Sequence, residues 1–256
     1  MSAHKPIVAV IGKGGVGKTT VTALLLRRLL AAGRVPVLAI DADPSACLGA
    51  ALGVSVDATL GSLRDRLRDD PDRPGSVPKS EWLALMAEQA IVEDKGFDLL
   101  TMGHPEGPGC YCFVNSLLRD YLDRLAASYR LVMVDCEAGQ EHLSRRTTRE
   151  PERLVCVVNG ARMAAETVHR ALALYAGLHG KLPPAVELVL NGFEPATAAA
   201  REAEARAAWG GDCFARVWTV PRDPAIAELD ARGASLLGLP ADSPALRALE
   251  GWEGWA

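Results

Sequence analysis

Short, nearly continuous apolar runs alternate with helical periodicity from one end of the chain to the other. Ile7-Val8-Ala9-Val10-Ile11, Pro36-Val37-Leu38-Ala39-Ile40-Asp41, Phe97-Asp98-Leu99-Leu100-Thr101-Met102 and Arg130-Leu131-Val132-Met133-Val134-Asp135 read as strands. So do Leu154–Val158, Val186–Leu190 and Ala215–Val220. Strands covered on both faces need unbroken apolar runs, whereas half-exposed strands alternate. Between them, Leu24, Leu25, Leu26, Leu29 and Leu30, and later Leu117, Leu118, Tyr121, Leu122 and Leu125, recur at spacings that favour a helix. Alternating βα units predict an α/β fold, a doubly wound and mainly parallel sheet of about seven strands flanked by helices. Asp69–Ser76 is too polar and Pro-rich to pack and is the clearest loop. No repeat and no linker divides the chain, so residues 1–256 read as one domain. The end of the chain, with Trp252 and Trp255, reads as a tail docked on the core.

Composition narrows the setting. A hydrophobic fraction of 49% beside 23% charged residues suits a globular protein with a sizeable core. Net charge is −4 and no Lys/Arg-rich tract occurs, so neither nucleic acid nor an anionic membrane is an expected partner. Met1-Ser2-Ala3-His4-Lys5-Pro6 leads straight into the first strand without the apolar region of a signal peptide. No run reaches membrane-spanning length, and the expected location is cytoplasmic. In that setting six cysteines read as reduced, buried or metal-binding rather than as a disulfide framework.

The strongest chemical signal is Gly12-Lys13-Gly14-Gly15-Val16-Gly17-Lys18-Thr19-Thr20, placed between the first strand and the first helix. That is the context of a phosphate-binding P-loop, and it predicts ATP/ADP with Mg²⁺. The glycines let backbone N–H groups turn inward as an anion nest, and the helix N-terminus adds its positive dipole end. Lys18 supplies a charge for the β- and γ-phosphates, and the Thr19 hydroxyl is placed for Mg²⁺. Lys13 departs from an ordinary P-loop. With Lys18 it resembles the deviant Walker A motif of the MinD/ParA/nitrogenase iron protein class, which implies that Lys13 reaches phosphates in a partner subunit. A second ammonium there would neutralise charge during phosphoryl transfer, as an arginine finger does; the plainer reading is a solvated loop lysine.

Two carboxylate sites follow strands, where doubly wound sheets bind ligands. Asp135 is the candidate Walker B residue, holding Mg²⁺ through water. Asp43, in Asp41-Ala42-Asp43-Pro44, is the candidate for orienting the attacking water, and Asp41 for Mg²⁺ or switch contacts; a bare Asp-Pro is otherwise a turn former. Asn191 and Pro221-Arg222-Asp223 match positions that recognise adenine in the resembled class, although Asn191 before Gly192 also suits a turn.

Gly109-Cys110-Tyr111-Cys112 is the second strong signal. Cys110 and Cys112 lie in a Gly/Pro-rich loop before a helical pattern, where a helix N-terminus favours thiolate. Two thiolates complete half of a tetrahedral site, and a symmetric dimer would supply the other half around one ion. A redox disulfide within the pair and inert loop cysteines are the alternatives. Cys47, Cys156 and Cys213 read as structural. Cys136 adjoins Asp135, and burial or a role beside the metal both suit it. His104 and His142 are candidates to assist a soft divalent metal or to serve as structural hydrogen-bonding groups.

Taken together, the chain resembles CooC-type ATPases, the nickel-insertion accessory proteins of carbon monoxide dehydrogenase. The resemblance rests on Gly12–Thr20, on Gly103–Cys112 with Asn115, and on Asp135–Thr147, and it extends from Lys5 to about Leu239. Cys136 stands where the family pattern has Asn. The resemblance implies an ATP-hydrolysing homodimer whose shared Cys110 and Cys112 thiolates bind Ni²⁺ or Zn²⁺ for delivery to carbon monoxide dehydrogenase. One alternative is an electron donor like the nitrogenase iron protein, carrying an iron–sulfur cluster between subunits. The other is a ParA/MinD-like positioning ATPase, which needs a basic surface that the acidic tail does not provide.

Overall fold

The computed structural model describes residues 5–63, 77–103, 124–136, 150–160, 164–208 and 213–254. The apolar runs form an eight-stranded sheet: β1 (Ile7–Gly12), β2 (Val37–Asp41), β3 (Ile91–Asp94), β4 (Phe97–Thr101), β5 (Leu131–Asp135), β6 (Arg153–Val158), β7 (Ala185–Asn191) and β8 (Arg216–Val220). Their order is β3-β4-β2-β5-β1-β6-β7-β8, with every pairing parallel except β3 with β4. All of β1, β2 and β5 is buried, which explains why their sequences carry no polar alternation.

One strand exceeds the expected seven. Ile91–Asp94 has only two apolar residues followed by two acids, too short and too polar to read as a covered strand. It pairs antiparallel with β4 across Lys95-Gly96, where Gly96 takes φ +88° and a Cβ would press on Leu30 and Val35. At the sheet edge, exposed Glu93 and Asp94 discourage further strand addition.

Helices α1 (Lys18–Ala31), α2 (Leu48–Leu52), α3 (Lys79–Gln89), α4 (Ala164–His179), α5 (Pro195–Ala208), α6 (Pro224–Ala231) and α7 (Pro244–Ala248) surround the sheet, with a 3₁₀ turn at Leu236–Gly238. Leu24, Leu25, Leu26 and Leu29 are fully buried, because α1 is covered by β5 on one side and by α2, the 3₁₀ turn and α7 on others. Each such leucine contributes about 1.5–3 kcal/mol, so α1 alone buries apolar surface on the scale of a domain's net stability. The expected loop at Asp69–Ser76 and most of the helical pattern around Leu117–Leu125 lie outside the described residues.

The tail docks through Trp252, as the sequence suggests, while Trp255 lies outside the described residues. Glu187 on β7 is buried and accepts hydrogen bonds from the indole N–H groups of Trp218 (2.8 Å) and Trp252 (3.0 Å). It also pairs with Arg153 on β6. One carboxylate thus ties three adjacent strands to the C-terminal segment, and an ion pair from Arg34 to Glu253 at 2.7 Å adds an exposed clasp. Removing one partner of a buried ion pair leaves the other unpaired. Glu187→Ala is therefore expected to destabilise the chain by about 3–5 kcal/mol, read by denaturant unfolding followed through tryptophan fluorescence. A loss below about 1 kcal/mol would show that the cluster is solvated rather than structural.

Candidate functional site

β1 is flanked by β5 on one side and β6 on the other, so the chain reverses its winding direction beside the C-terminal end of β1. That reversal opens a crevice, the place where doubly wound sheets bind ligands. The loop Gly12–Gly17 sits there and hands the chain to α1, whose N-cap is Gly17 at φ +92°. Gly15 is also left-handed, at φ +78°. Gly12 is fixed by close approach, since a Cβ would lie 2.4 Å from the Val157 carbonyl oxygen of β6. Lys18 is buried at the first turn of α1, while Lys13 is half-buried and Gly14 and Gly15 are exposed. The fold therefore brings the loop, its lysines and the N-terminus of α1 together at the crevice, and the positive end of α1 faces the loop, an arrangement that suits a phosphate.

Two carboxylates close the crevice on the β2/β5 side. Asp41 and Asp135 are register partners at the ends of adjacent strands, and both are fully buried. Asp135 accepts a hydrogen bond from the Thr19 hydroxyl at 2.7 Å, and the Thr22 hydroxyl lies 3.3 Å from its other oxygen. Thr22 was not singled out from sequence; its place one turn after Lys18 was the available signal. Asp41 accepts from the backbone N–H of Asp43 (3.1 Å) and of Leu48 (2.8 Å). Asp41 thereby clamps the 43–47 turn and the start of α2.

Asp43 caps the same turn, accepting from Ser45 N–H at 2.9 Å. The turn forces Ala46 into the left-handed region at φ +50°, a conformation that carries strain in a non-glycine residue. It sits within four residues of the candidate water-orienting carboxylate.

Burial dominates the acidity of the carboxylate pair. It pushes Asp41 up to about 6, against the lowering effect of its two backbone hydrogen bonds. It pushes Asp135 up to about 7, with the charge of Asp41 adding to it and the Thr19 hydrogen bond and Lys18 opposing it. Thr19 and Asp135 present only oxygen donors, which suits a hard cation such as Mg²⁺. Cys136 is buried beside them, and desolvation pushes its thiol far above the ordinary range, so it packs as a neutral group. Cys156 behaves likewise, Cys213 is half-buried before β8, and Cys47 is exposed at the N-cap of α2.

A cleft of about 960 Å³ continues from Thr19 and Thr20 toward Asn191 and Pro221–Asp223, between α2 and α6. Val54, Ile226 and Leu236 give it an apolar wall of the kind a planar base requires. The carboxylate of Asp223 is engaged within the fold. It caps α6 through Ala225 N–H at 3.0 Å and accepts from the Ser243 hydroxyl and Ala245 N–H, which tie α7 to the cleft. Burial raises its pKa, but those hydrogen bonds outweigh burial and hold it below the ordinary carboxylate value.

Cys110 and Cys112, His104, and the segment from Glu137 to Thr147 with His142 lie outside the described residues. Among the described residues no group of three or more His, Cys, Asp or Glu side chains is placed to hold a metal ion. Among them, too, no helix is long and apolar enough to cross a membrane.

A glycine cradle on a helix N-terminus, a buried lysine and a hydroxyl–carboxylate pair at a sheet crevice define a P-loop nucleotide-binding protein. The chain matches the CobQ/CobB/MinD/ParA nucleotide binding domain over residues 7–236, and it belongs to that family. It is an ATPase of the family. An uncharacterized ATP-binding protein of Methanocaldococcus jannaschii is 36% identical over 253 residues, covering 95% of each chain. The carbon monoxide dehydrogenase accessory protein CooC of Rhodospirillum rubrum is 33% identical over 172 residues, covering 62% of this chain and 65% of that one. A ParA family ATPase from Chlorobium tepidum superposes with a TM-score of 0.72 at 18% identity, covering 97% and 98% of the two chains. MinD from Pyrococcus horikoshii, complexed with Mg-ADP, gives 0.64 at 20% identity, with 95% and 92% covered. These two likenesses are of fold.

The raised carboxylates give the ligand-free protein a specific pH dependence. An acid whose folded pKa exceeds its unfolded value adds stability that is complete below the unfolded value and is lost as pH rises through the folded one. For Asp41 and Asp135 that window runs from about 4 to about 7. The melting temperature of ligand-free protein is expected to fall between pH 5.5 and 7.5, at about 2–4 °C per kcal/mol for a chain of this size. Asp135→Asn should flatten the slope; an unchanged slope in that variant would refute the assignment.

Proposed function

We propose that this ATPase is a metallochaperone in which nucleotide controls a metal site shared between two copies of the chain. The observation that carries the reading is the similarity to CooC, joined to the Cys-x-Cys sequence at Cys110 and Cys112. Thiolates from two copies would converge on one Ni²⁺ or Zn²⁺ as cargo, with carbon monoxide dehydrogenase as the client.

The geometry supports a link between the two sites. β4 leads toward the cysteine segment, and at its end Met102 N–H donates to the Asp41 carbonyl at 2.8 Å. Asp41 in turn holds the turn that carries Asp43. In sequence, the cysteines thus follow the end of β4, where Met102 is bonded to Asp41, the residue whose carboxylate holds the Asp43 turn.

In hydrolysis, Asp43 would orient the water whose oxygen bonds to the γ-phosphorus as the β–γ bridging bond breaks and ADP departs. Lys18 would hold the β- and γ-phosphates, and Lys13 would offset the developing charge across the dimer. Thr19, with Asp135 behind it, would hold Mg²⁺, which shields phosphate charge when bound. Asn191 and the Pro221–Asp223 segment would border the adenine. Closure by ATP strengthens a shared metal site only through differential contacts in the closed dimer, and coupling of that kind amounts to about 5- to 150-fold in affinity.

The test is anaerobic metal titration with and without ATP. ATP is expected to raise Ni²⁺ or Zn²⁺ affinity by about tenfold or more, at one ion per two chains, and Cys110→Ser with Cys112→Ser should abolish this while ATP still binds. Equal metal affinity with and without ATP, or unchanged stoichiometry in the double variant, would refute the reading.

A further inference from the structure

Asn191 lines the cleft, but its amide is directed at the P-loop. Its Nδ2 donates to the Val16 carbonyl oxygen at 2.8 Å. A carbonyl oxygen only accepts, so the NH₂ end of the amide must face it. From the neighbouring strand, Asn159 Nδ2 reaches the Gly15 carbonyl oxygen at a longer 3.4 Å. Two consecutive loop carbonyls are thus approached by amides placed at the ends of β7 and β6.

The consequence follows from peptide geometry. In a trans peptide the C=O and the N–H of the next residue point in opposite directions. Fixing Val16 C=O on Asn191 therefore turns the Gly17 N–H the other way, and fixing Gly15 C=O on Asn159 does the same for Val16 N–H. The Val16 N–H is directed within the loop, 3.4 Å from the Lys13 carbonyl oxygen, so the Asn159 contact serves the loop's shape and the Gly17 N–H is the group left for a phosphate. A phosphate chain needs N–H groups facing it and is repelled by carbonyl oxygens. Gly14, Gly15 and Gly17 leave the loop free to rotate its peptide planes, so something outside the loop must select the orientation. Gly17 is adapted to this neighbour as well as to its left-handed backbone, since a Cβ there would lie 2.3 Å from Asn191 Nδ2.

We propose that Asn191 is a positioning residue for the phosphate cradle, holding the Val16 carbonyl outward so that the Gly17 N–H faces the phosphates, while Asn159 supports the shape of the loop before it. The inference rests on the phosphate-binding reading of the loop and gives Asn191 a role that does not depend on the base. Tripolyphosphate, a phosphate chain with no base, separates it from base recognition; AMP, a base with one phosphate, is the counterpart.

Calorimetric titration of both ligands into wild-type protein, Asn191→Ala and Asn159→Ala is the experiment. Asn191→Ala is expected to weaken tripolyphosphate roughly five- to tenfold and Asn159→Ala about two- to threefold. AMP is expected to weaken less than tripolyphosphate in Asn191→Ala and by less than about twofold in Asn159→Ala, with ligand-free melting temperatures close to wild type. Unchanged tripolyphosphate affinity in Asn191→Ala, with AMP weakened, would overturn the proposal in favour of base reading alone. A proportionate loss of both ligands would overturn it as general loss of structure. Should Asn191→Ala not fold, the Asn159→Ala result decides alone, and unchanged tripolyphosphate binding there refutes the tether. Wild-type protein that binds neither ATP nor tripolyphosphate would overturn the phosphate-binding reading itself, and the tether with it.

Discussion

The hydrogen bond from Thr19 to Asp135 joins the first turn of α1 to the end of β5, and the rest of the site is arranged around it. Thr19 follows the P-loop lysine, and Asp135 ends a strand whose every residue is buried. Asp135 lies in register with Asp41, and the main chain after each strand is stitched to its neighbours: Ala42 N–H donates to the Asp135 carbonyl at 2.9 Å, and Met102 N–H to that of Asp41. A cation at Thr19 would therefore be felt by the carboxylate pair, by the Asp43 turn and by the end of β4. Two buried carboxylates side by side are costly unless positive charge or a proton accompanies them. In the ligand-free protein burial raises both acids toward neutrality, so a proton is the more readily held there, and in the proposed nucleotide state Mg²⁺ would take its place.

Much of this was legible in the sequence because the signals are local. The P-loop sequence needs specific residues at fixed spacing, and covered parallel strands need unbroken apolar runs, so seven strands and the strand–loop–helix around Gly12–Thr20 could be read directly. Ile91–Asp94 could not: its pairing with β4 comes from the Lys95-Gly96 turn and tertiary context, while its own composition is half acidic. Asp41 had two expected roles, and only the fold shows both its oxygens engaged by Asp43 and Leu48 N–H groups. Thr22, Asn159 and the contact of Asn191 with Val16 were invisible for the same reason. Each acts on a residue from another element, and no periodicity records that contact.

The family and the fold together establish an ATPase. Asp223 is capped within the fold, and Glu187 holds the end of the chain to the sheet. The turn at Ala46 lies between the carboxylates and α2. The Asp41 carboxylate holds that turn, and its carbonyl accepts from Met102 N–H just after β4. If a γ-phosphate displaces the turn, Asp41 is the residue through which the end of β4 would follow.

The most direct measurement is ATP affinity with Mg²⁺ and with EDTA, compared between wild-type protein and Asp135→Asn. The account predicts that Mg²⁺ strengthens ATP binding to the wild type by about tenfold or more, equivalent to about 1.4 kcal/mol, and has little effect on the variant. An equal Mg²⁺ effect in both proteins would contradict it.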